Sequence, residues 1–337
     1  MKRQGHLIEE IADIENLYLA NYKAQKGKMA KTEVLRYCKN LHSNLQTLQY
    51  QILNGCTEIG DYRYFTIYDP KKRLICAAPY AQRVLHHALM NICHAGFEKR
   101  QIFDSYASCP GKGTYAALDK ARHYNYKYKW YLKLDFRKYF DSIDHLVLKR
   151  QLCKLFKDEQ LLLIFFKIID SYCSEEDRGV PIGNLTSQYF ANHYLTPADH
   201  YAKEVLNIPA YVRYMDDMVL WHNDKDKLLE AGYMFQQFAE QELKLSLKPF
   251  CLNERTKGLP FLGYILLPNN VLLTQRSKKR FIQKSEIYET NLRNGSLSQK
   301  EYQNHVTPLI SFTEYGNSRE FRKTVYHRLL AYEELTG

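Results

Sequence analysis

An α+β architecture is what this sequence predicts, on three observations. Apolar residues recur at helical steps through the first third. The middle alternates short β-forming runs with helical ones. From Gln275 onward the chain reads as helical and moderately basic, with Arg276, Lys278, Lys279, Arg280 and Lys284 clustered at the start of that segment. In order, Leu35, Cys38, Leu41, Leu45, Leu48 and Ile52 place one amphipathic helix over residues 32–53, ended by Asn54-Gly55. Residues 62–68 (YRYFTIY) alternate as a strand, Asp69-Pro70-Lys71-Lys72 turns, and 73–77 returns as the hairpin partner. A helix follows over 79–94.

The central elements are a strand at 130–135 (WYLKLD), two helices within 146–172, and a helix at 186–206 bent at Pro197. Residues 211–221 read as two short strands around a polar centre, and 225–243 as a helix. Residues 261–267 and 271–274 form a hairpin over Pro268-Asn269-Asn270. Strands separated by helices that return to one sheet predict a sandwich of the ferredoxin-like kind. Three lobes follow: a helical one, a central sheet, and a C-terminal helical one.

Composition narrows the function. The chain has 337 residues, 45% hydrophobic and 25% charged, as an ordinary globular protein does. Its longest apolar run, 161–166, falls far short of the roughly 20 residues that span a bilayer. Glu9, Glu10 and Asp13 interrupt any apolar core near the N-terminus, so no signal peptide, a cytosolic location and no membrane partner are expected. Eight scattered cysteines, with no CxxC pair, suit a reduced protein without a zinc site. A net charge of +11 suits a polyanionic partner. The 28 tyrosines and 16 phenylalanines are mostly core residues, with some left as flat faces for bases.

The sharpest chemical signal is YVRYMDDMVLW at 211–221. Asp216 and Asp217 sit side by side between two β-forming runs, where they repel each other and lose hydration. A divalent cation relieves both; an exposed turn would also accommodate paired aspartates. Such turns usually carry Gly or Asn, whereas Met215 stands here. KLDFRKYFDSI at 133–143 places Asp135 at a strand's end, where it could complete a three-carboxylate cage for two Mg²⁺ ions roughly 3.5–4 Å apart. Asp141 and Asp144 read as helix-start and turn residues. RGVPIGNLTSQ at 178–188 is a tight loop whose small residues admit a substrate close to the backbone, with Thr186-Ser187 expected to cap the next helix.

In this order the three segments resemble motifs A, B and C of right-hand reverse transcriptases: KLDFRKYFD, GVPIGNLTSQ and RYMDD. FLGY at 261–264 is similar to their primer grip. Arg73-Leu74-Ile75, Gln82-Arg83-Val84 and SYASCPGKGT at 105–114 resemble the fingers motifs of bacterial members. The finer resemblance is to reverse transcriptases of diversity-generating retroelements, whose motif B reads Ile-Gly-Asn-Leu-Thr-Ser-Gln, as 182–188 does here.

The resemblance implies a right-hand polymerase fold with helical fingers (1–128), a ferredoxin-like palm (129–266) and a helical thumb (267–337). It implies RNA-directed DNA synthesis with two Mg²⁺ ions held by Asp135, Asp216, Asp217 and the Phe136 carbonyl. Arg73, Arg83, Phe140, Ile182 and Gly183 would meet the dNTP, with Phe140 as the ribose gate. Gln188, Tyr214, Met215, Phe261, Leu262, Gly263, Tyr264, Lys278, Lys279 and Arg280 would meet template and primer. The implied partners are a template RNA, its cDNA and primer, and an oligomeric basic accessory variability protein; copying of template adenines would be error-prone. Retron, group II intron-derived and defence-associated enzymes are alternatives, as is a catalytically silent RNA-binding polymerase fold. Two departures stand out: Cys109 replaces a usual Arg, with Lys112 as a substitute, and the motif D lysine has only Lys248 as a candidate.

Overall fold

The computed structural model describes residues 3–68 and 72–336, with the backbone alone at 330–336. It opens with α1 (Ile8–Ala12) and α2 (Ile14–Gln25), the latter capped by the Asp13 carboxylate, which accepts from Glu15 N at 2.8 Å and Asn16 N at 3.2 Å. The single helix expected over 32–53 is two helices, α3 (Thr32–Lys39) and α4 (Leu41–Leu53). The chain breaks at Asn40 (φ −121°), and Asn44 Nδ2 donates to the Tyr37 carbonyl near the end of α3 at 2.8 Å. Leu45, Leu48 and Ile52 enter the core, whereas Leu35 stays 59% exposed. The apolar period therefore joined two helices that present different faces.

A hairpin of β1 (Arg63–Ile67) and β2 (Arg73–Ala77) pairs Arg63 with Ala77. Of the turn expected between them, Asp69, Pro70 and Lys71 lie outside the described residues. Next come α5 (Tyr80–Glu98), begun at Pro79, and α6 (Thr114–Lys127), a helix not singled out in the sequence.

The central sheet follows from β3 (Trp130–Leu134), α7 (His145–Leu155), α8 (Glu159–Asp170), α9 (Leu185–Tyr194) and α10 (Thr196–His200). Pro197 lies in the first turn of α10, at the expected bend, and a π-helical turn at Tyr201–Val205 ends that run. Then come β4 (Ala210–Tyr214), β5 (Asp217–His222), α11 (Lys225–Glu242) and β6 (Cys251–Glu254). The strand order is β4-β5-β3-β6, with every pair antiparallel. Two helical crossovers around an antiparallel sheet of this order form the ferredoxin-like arrangement expected. Side chains alternate across it. Leu132, Leu134, Met218 and Leu220 join the larger core with Phe235 of α11. Tyr131, Val219 and Trp221 face the other way, toward α6. A Cβ on Gly232 of α11 would come 2.8 Å from Leu132 Cδ2, so glycine there lets helix and sheet pack closely.

The strand expected over 261–267 is divided. β7 (Leu259–Phe261), β8 (Tyr264–Leu266) and β9 (Val271–Leu273) form a second antiparallel sheet. Leu262 (φ +48°) and Gly263 (φ +93°) make the two-residue turn between β7 and β8. Three helices end the chain: α12 (Gln275–Arg293), α13 (Gln299–Glu314) with a Ser298/Glu301 capping box, and α14 (Arg319–Thr336). Among the described residues no helix is long and apolar enough to cross a membrane.

Candidate active site

Strand register brings the aspartates to one edge. Leu134 of β3 lies across from Met218 of β5, so the next step places Asp135 opposite Asp217. Asp216 and Asp217 come from the β4–β5 turn, where Tyr214 pairs with Asp217. Met215, between them, has φ +54°, a conformation that non-glycine residues avoid.

The electrostatics follow from this crowding. Burial raises the carboxyl pKa of Asp216, and the charge of Asp135 adds to it, while Lys248 and Arg73 oppose the shift. Burial likewise raises Asp217, with Asp216 and Asp135 adding and Lys133 opposing. Two ammonium groups balance the cluster: Lys133 Nζ lies 3.0 Å from Asp217 Oδ1, and Lys248 Nζ pairs with Asp135 Oδ2. Lys133 approaches off the hydrogen-bonding direction, so the buried Asp217 Oδ1 has an ion pair but no directed hydrogen bond among the described residues. In this arrangement no group of three His, Cys, Asp or Glu side chains among the described residues closes into a ready metal cage. The donor chemistry nonetheless fits a hard divalent cation: oxygen ligands, half buried, with Asp216 and Asp217 raised in pKa first by burial and then by neighbouring carboxylates, and one oxygen short of a donor.

The motif B loop is tied to two neighbours. Gly179 N donates to Ile143 O at 2.8 Å and Val180 N to Phe140 O at 3.0 Å. Cys76 N of β2 donates to Ile182 O at 2.8 Å. Gly183, at φ +122°, lies so close to β2 that a Cβ would meet Ile75 Cγ2 at 2.9 Å and the Cys76 carbonyl at 3.1 Å. Phe140 is half buried and meets Tyr139 edge-on, and Arg73 opens β2 with its side chain exposed. Phe136 is a core ring stacked on Tyr139, and its backbone bridges to Leu247. Asp144 caps α7, accepting from Val147 N at 2.9 Å, as expected of a helix-start residue.

Other expected contacts are placed differently. Arg83 is turned to the N-terminal helices, paired with Glu33 and 5.3 Å over the Tyr80 ring. Lys112 does not stand in for the missing Arg: its ammonium donates to the Phe103 and Ser105 carbonyls and sits 4.6 Å over the Phe103 ring. Thr186 and Ser187 do not cap α9. Asn184 holds the cap position, both hydroxyl residues are buried inside the first turn, and Thr186 Oγ1 meets His86 Nδ1 at 2.9 Å. Phe261 and Tyr264 are fully buried, with the Tyr264 hydroxyl donating to Phe312 O, so their rings cannot touch a primer as placed. Only Leu262 and Gly263 are accessible at that turn, and Gly263 O accepts from Thr274 N and Ser277 Oγ of the α12 start. Gln188 is exposed on α9, and Tyr214 is half buried, its hydroxyl accepting from Thr114. Lys278 lies over Phe321, whereas Lys279 and Arg280 line a cleft of about 600 Å³ with Tyr68, Arg276 and Lys284.

Lys133 and Arg213 were not singled out in the sequence. Each had a signal: Lys133 shares a strand face with Asp135, and Arg213 interrupts an apolar run next to the paired aspartates.

The sheet order, the aspartates gathered on its edge and the flanking helical lobes define a right-hand polymerase fold. Residues 67–266 match the family described as reverse transcriptase (RNA-dependent DNA polymerase), and the chain belongs to that family. Among curated relatives, the putative COX1/OXI3 intron 1 protein of Saccharomyces cerevisiae is 20% identical over 216 residues, covering 60% of this chain and 26% of the relative. The intron 2 protein is 21% identical over 217 residues, 58% of this chain and 24% of its own length. The chain thus spans about a quarter of the curated relatives it matches. Telomerase from Candida albicans, solved with a TWJ fragment of telomeric RNA, superposes with TM-score 0.51 at 14% identity, covering 81% of this chain and 55% of that one. Apo telomerase from Candida tropicalis gives 0.50 at 13% identity, over 78% and 58%. These likenesses show the fold.

Proposed function

We propose that this chain is an RNA-directed DNA polymerase that extends a primer on an RNA template, with Asp135, Asp216 and Asp217 as its metal ligands. The observation that carries this is the Leu134–Met218 register, whose next step sets Asp135 against Asp217 at the ends of the two central strands of a ferredoxin-like sheet. Two Mg²⁺ ions, when bound, would activate the primer hydroxyl and shield the triphosphate. Asp135, Asp216 and Asp217 would hold them, with the Phe136 carbonyl assisting. Lys133 and Lys248 balance the carboxylates and would give way or shift on loading. Arg73, whose charge already reaches Asp216, would grip the triphosphate. Phe140 would wall off a 2′-hydroxyl, and Ile182 and Gly183 would bound the nascent pair. The lobes would divide as fingers (1–128), palm (129–266) and thumb (267–337), with Lys279 and Arg280 facing the hybrid's backbone.

The finer reading is error-prone copying in a diversity-generating retroelement, with a dedicated template RNA and a basic oligomeric accessory protein. Its support is the motif B sequence at 182–188 and the apolar Ile182 beside β2. The yeast intron proteins favour a second reading, an intron-derived enzyme. Sequencing the RNA that copurifies with the chain, together with the cDNA it makes, separates them. A template whose adenines are selectively miscopied supports the first reading; a self-splicing intron RNA copied faithfully supports the second.

A further inference from the structure

Arg213 lies in β4 two residues before Met215, and neither it nor Asp199 exposes any side-chain surface. All five of its N–H groups are engaged. Nε and Nη2 donate to the two Asp199 oxygens at 2.7 Å each. Nη2 also donates to Asn192 O at 3.2 Å, and Nη1 to Asn192 Oδ1 at 2.6 Å. The remaining Nη1 proton goes to the Met215 carbonyl at 3.1 Å. Tyr211 completes the group, its hydroxyl donating to Asp199 Oδ1 at 2.7 Å. One side chain therefore ties α9, α10 and the aspartate-bearing turn together.

The pair with Asp199 needs only two of these donors. A well-packed apolar pair of similar volume would serve stability as well or better. The donors beyond the pair go to the motif B helix and to the peptide joining Met215 to Asp216, the peptide whose orientation decides where Asp216 leaves the backbone. That peptide follows a residue at φ +54°, where the turn would not rest unaided.

We propose that Arg213 is a positioning residue for nucleotidyl transfer: its guanidinium fork locks the Met215 carbonyl, and through it the direction of Asp216 and Asp217. This rests on the reading of those aspartates given above. A lysine could keep the charge opposite Asp199 but cannot span Asp199, Asn192 and the turn together.

The test compares wild type, Arg213→Lys, the apolar pair Arg213→Met/Asp199→Leu, and Asp216→Asn as reference. Three quantities are measured: thermal melting, amide hydrogen exchange at residues 215–217, and kcat and dNTP KM on a primed RNA template. Both Arg213 variants should stay folded. Their turn amides should exchange about tenfold faster or more, as a locally released segment does. Their kcat should fall about tenfold or more with KM nearly unchanged, the mark of an interaction that matters in the transition state. A folded variant with wild-type exchange and kcat overturns the proposal. So does failure of both variants to fold, which would make Arg213 a support of the fold alone. If Asp216→Asn synthesises DNA as wild type does, the aspartate reading fails instead, and the exchange data still report whether Arg213 holds the turn.

Discussion

Replacing Gly183 by alanine should damage the chain more than an ordinary glycine substitution, because two costs coincide there. Its φ of +122° is a conformation L side chains rarely adopt, and holding one there costs on the order of 1–3 kcal/mol. The added Cβ would stand 2.9 Å from Ile75 Cγ2 and 3.1 Å from the Cys76 carbonyl, so loop and hairpin must separate. Separation weakens the 2.8 Å bond from Cys76 N to Ile182 O, worth about 0.5–1.5 kcal/mol. The total is about 2–4 kcal/mol. Gly55 is the control: it has φ +66° and nothing within 4 Å of an added Cβ, so alanine there costs only the left-handed backbone, about 1–2 kcal/mol. Urea unfolding followed by the fluorescence of Trp130 and Trp221 measures both. Equal losses for the two variants would refute the claim that motif B is pinned against β2.

Three further outcomes are expected. Phe140→Ala should raise ribonucleotide incorporation relative to deoxyribonucleotide; an unchanged ratio in an active variant would leave Phe140 a packing residue. Ile182→Gln should lower misincorporation several-fold on a defined RNA template, since one positioned hydrogen bond is worth about 0.5–1.5 kcal/mol; identical error spectra would place infidelity elsewhere. Burial holds three histidines neutral, His86 down to about 3, and His87 and His193 to about 4. The unfolded chain protonates them near pH 6.5 while the folded chain does not, so stability is complete above that pH and falls below it, by about 3 kcal/mol between pH 7.5 and 5.5 from the fully buried His86 and His193, with half-exposed His87 adding little. Urea midpoints that stay level over that interval would contradict the burial of these rings.

Much of the site is written locally and was legible for that reason. Paired aspartates inside a β-forming run, and a third at the end of another strand, are readable from pattern, and the sheet register then sets them together. The ferredoxin-like palm was legible because β3, β4 and β5 are short β-forming runs, buried on both faces, and α11 is long enough to read as a helix between strands. Its fourth strand was not: Cys251–Glu254 has one leucine and owes its conformation to pairing with β3. The helix 32–53 was overextended because Asn40 breaks it without proline or glycine. Arg83 and Lys112 show another limit. The resemblance assigned them to substrate, but Glu33 of α3 reaches Arg83 first, and the Phe103 and Ser105 carbonyls of its own loop reach Lys112. The same holds for Tyr264, whose aromatic ring reads as a primer contact until the thumb helix α13 covers it.

Nucleotidyl transfer, on this reading, rests on the aspartates at the end of β3 and in the β4–β5 turn. The decisive measurement is primer extension by Asp216→Asn on a defined RNA template with Mg²⁺, taken beside RNA affinity and thermal melting. Synthesis should vanish while RNA binding persists. Melting should hold or rise, because the substitution removes one charge from a cluster whose buried carboxyls repel each other. Substantial DNA synthesis by the folded variant would mean that these carboxylates are not the metal ligands.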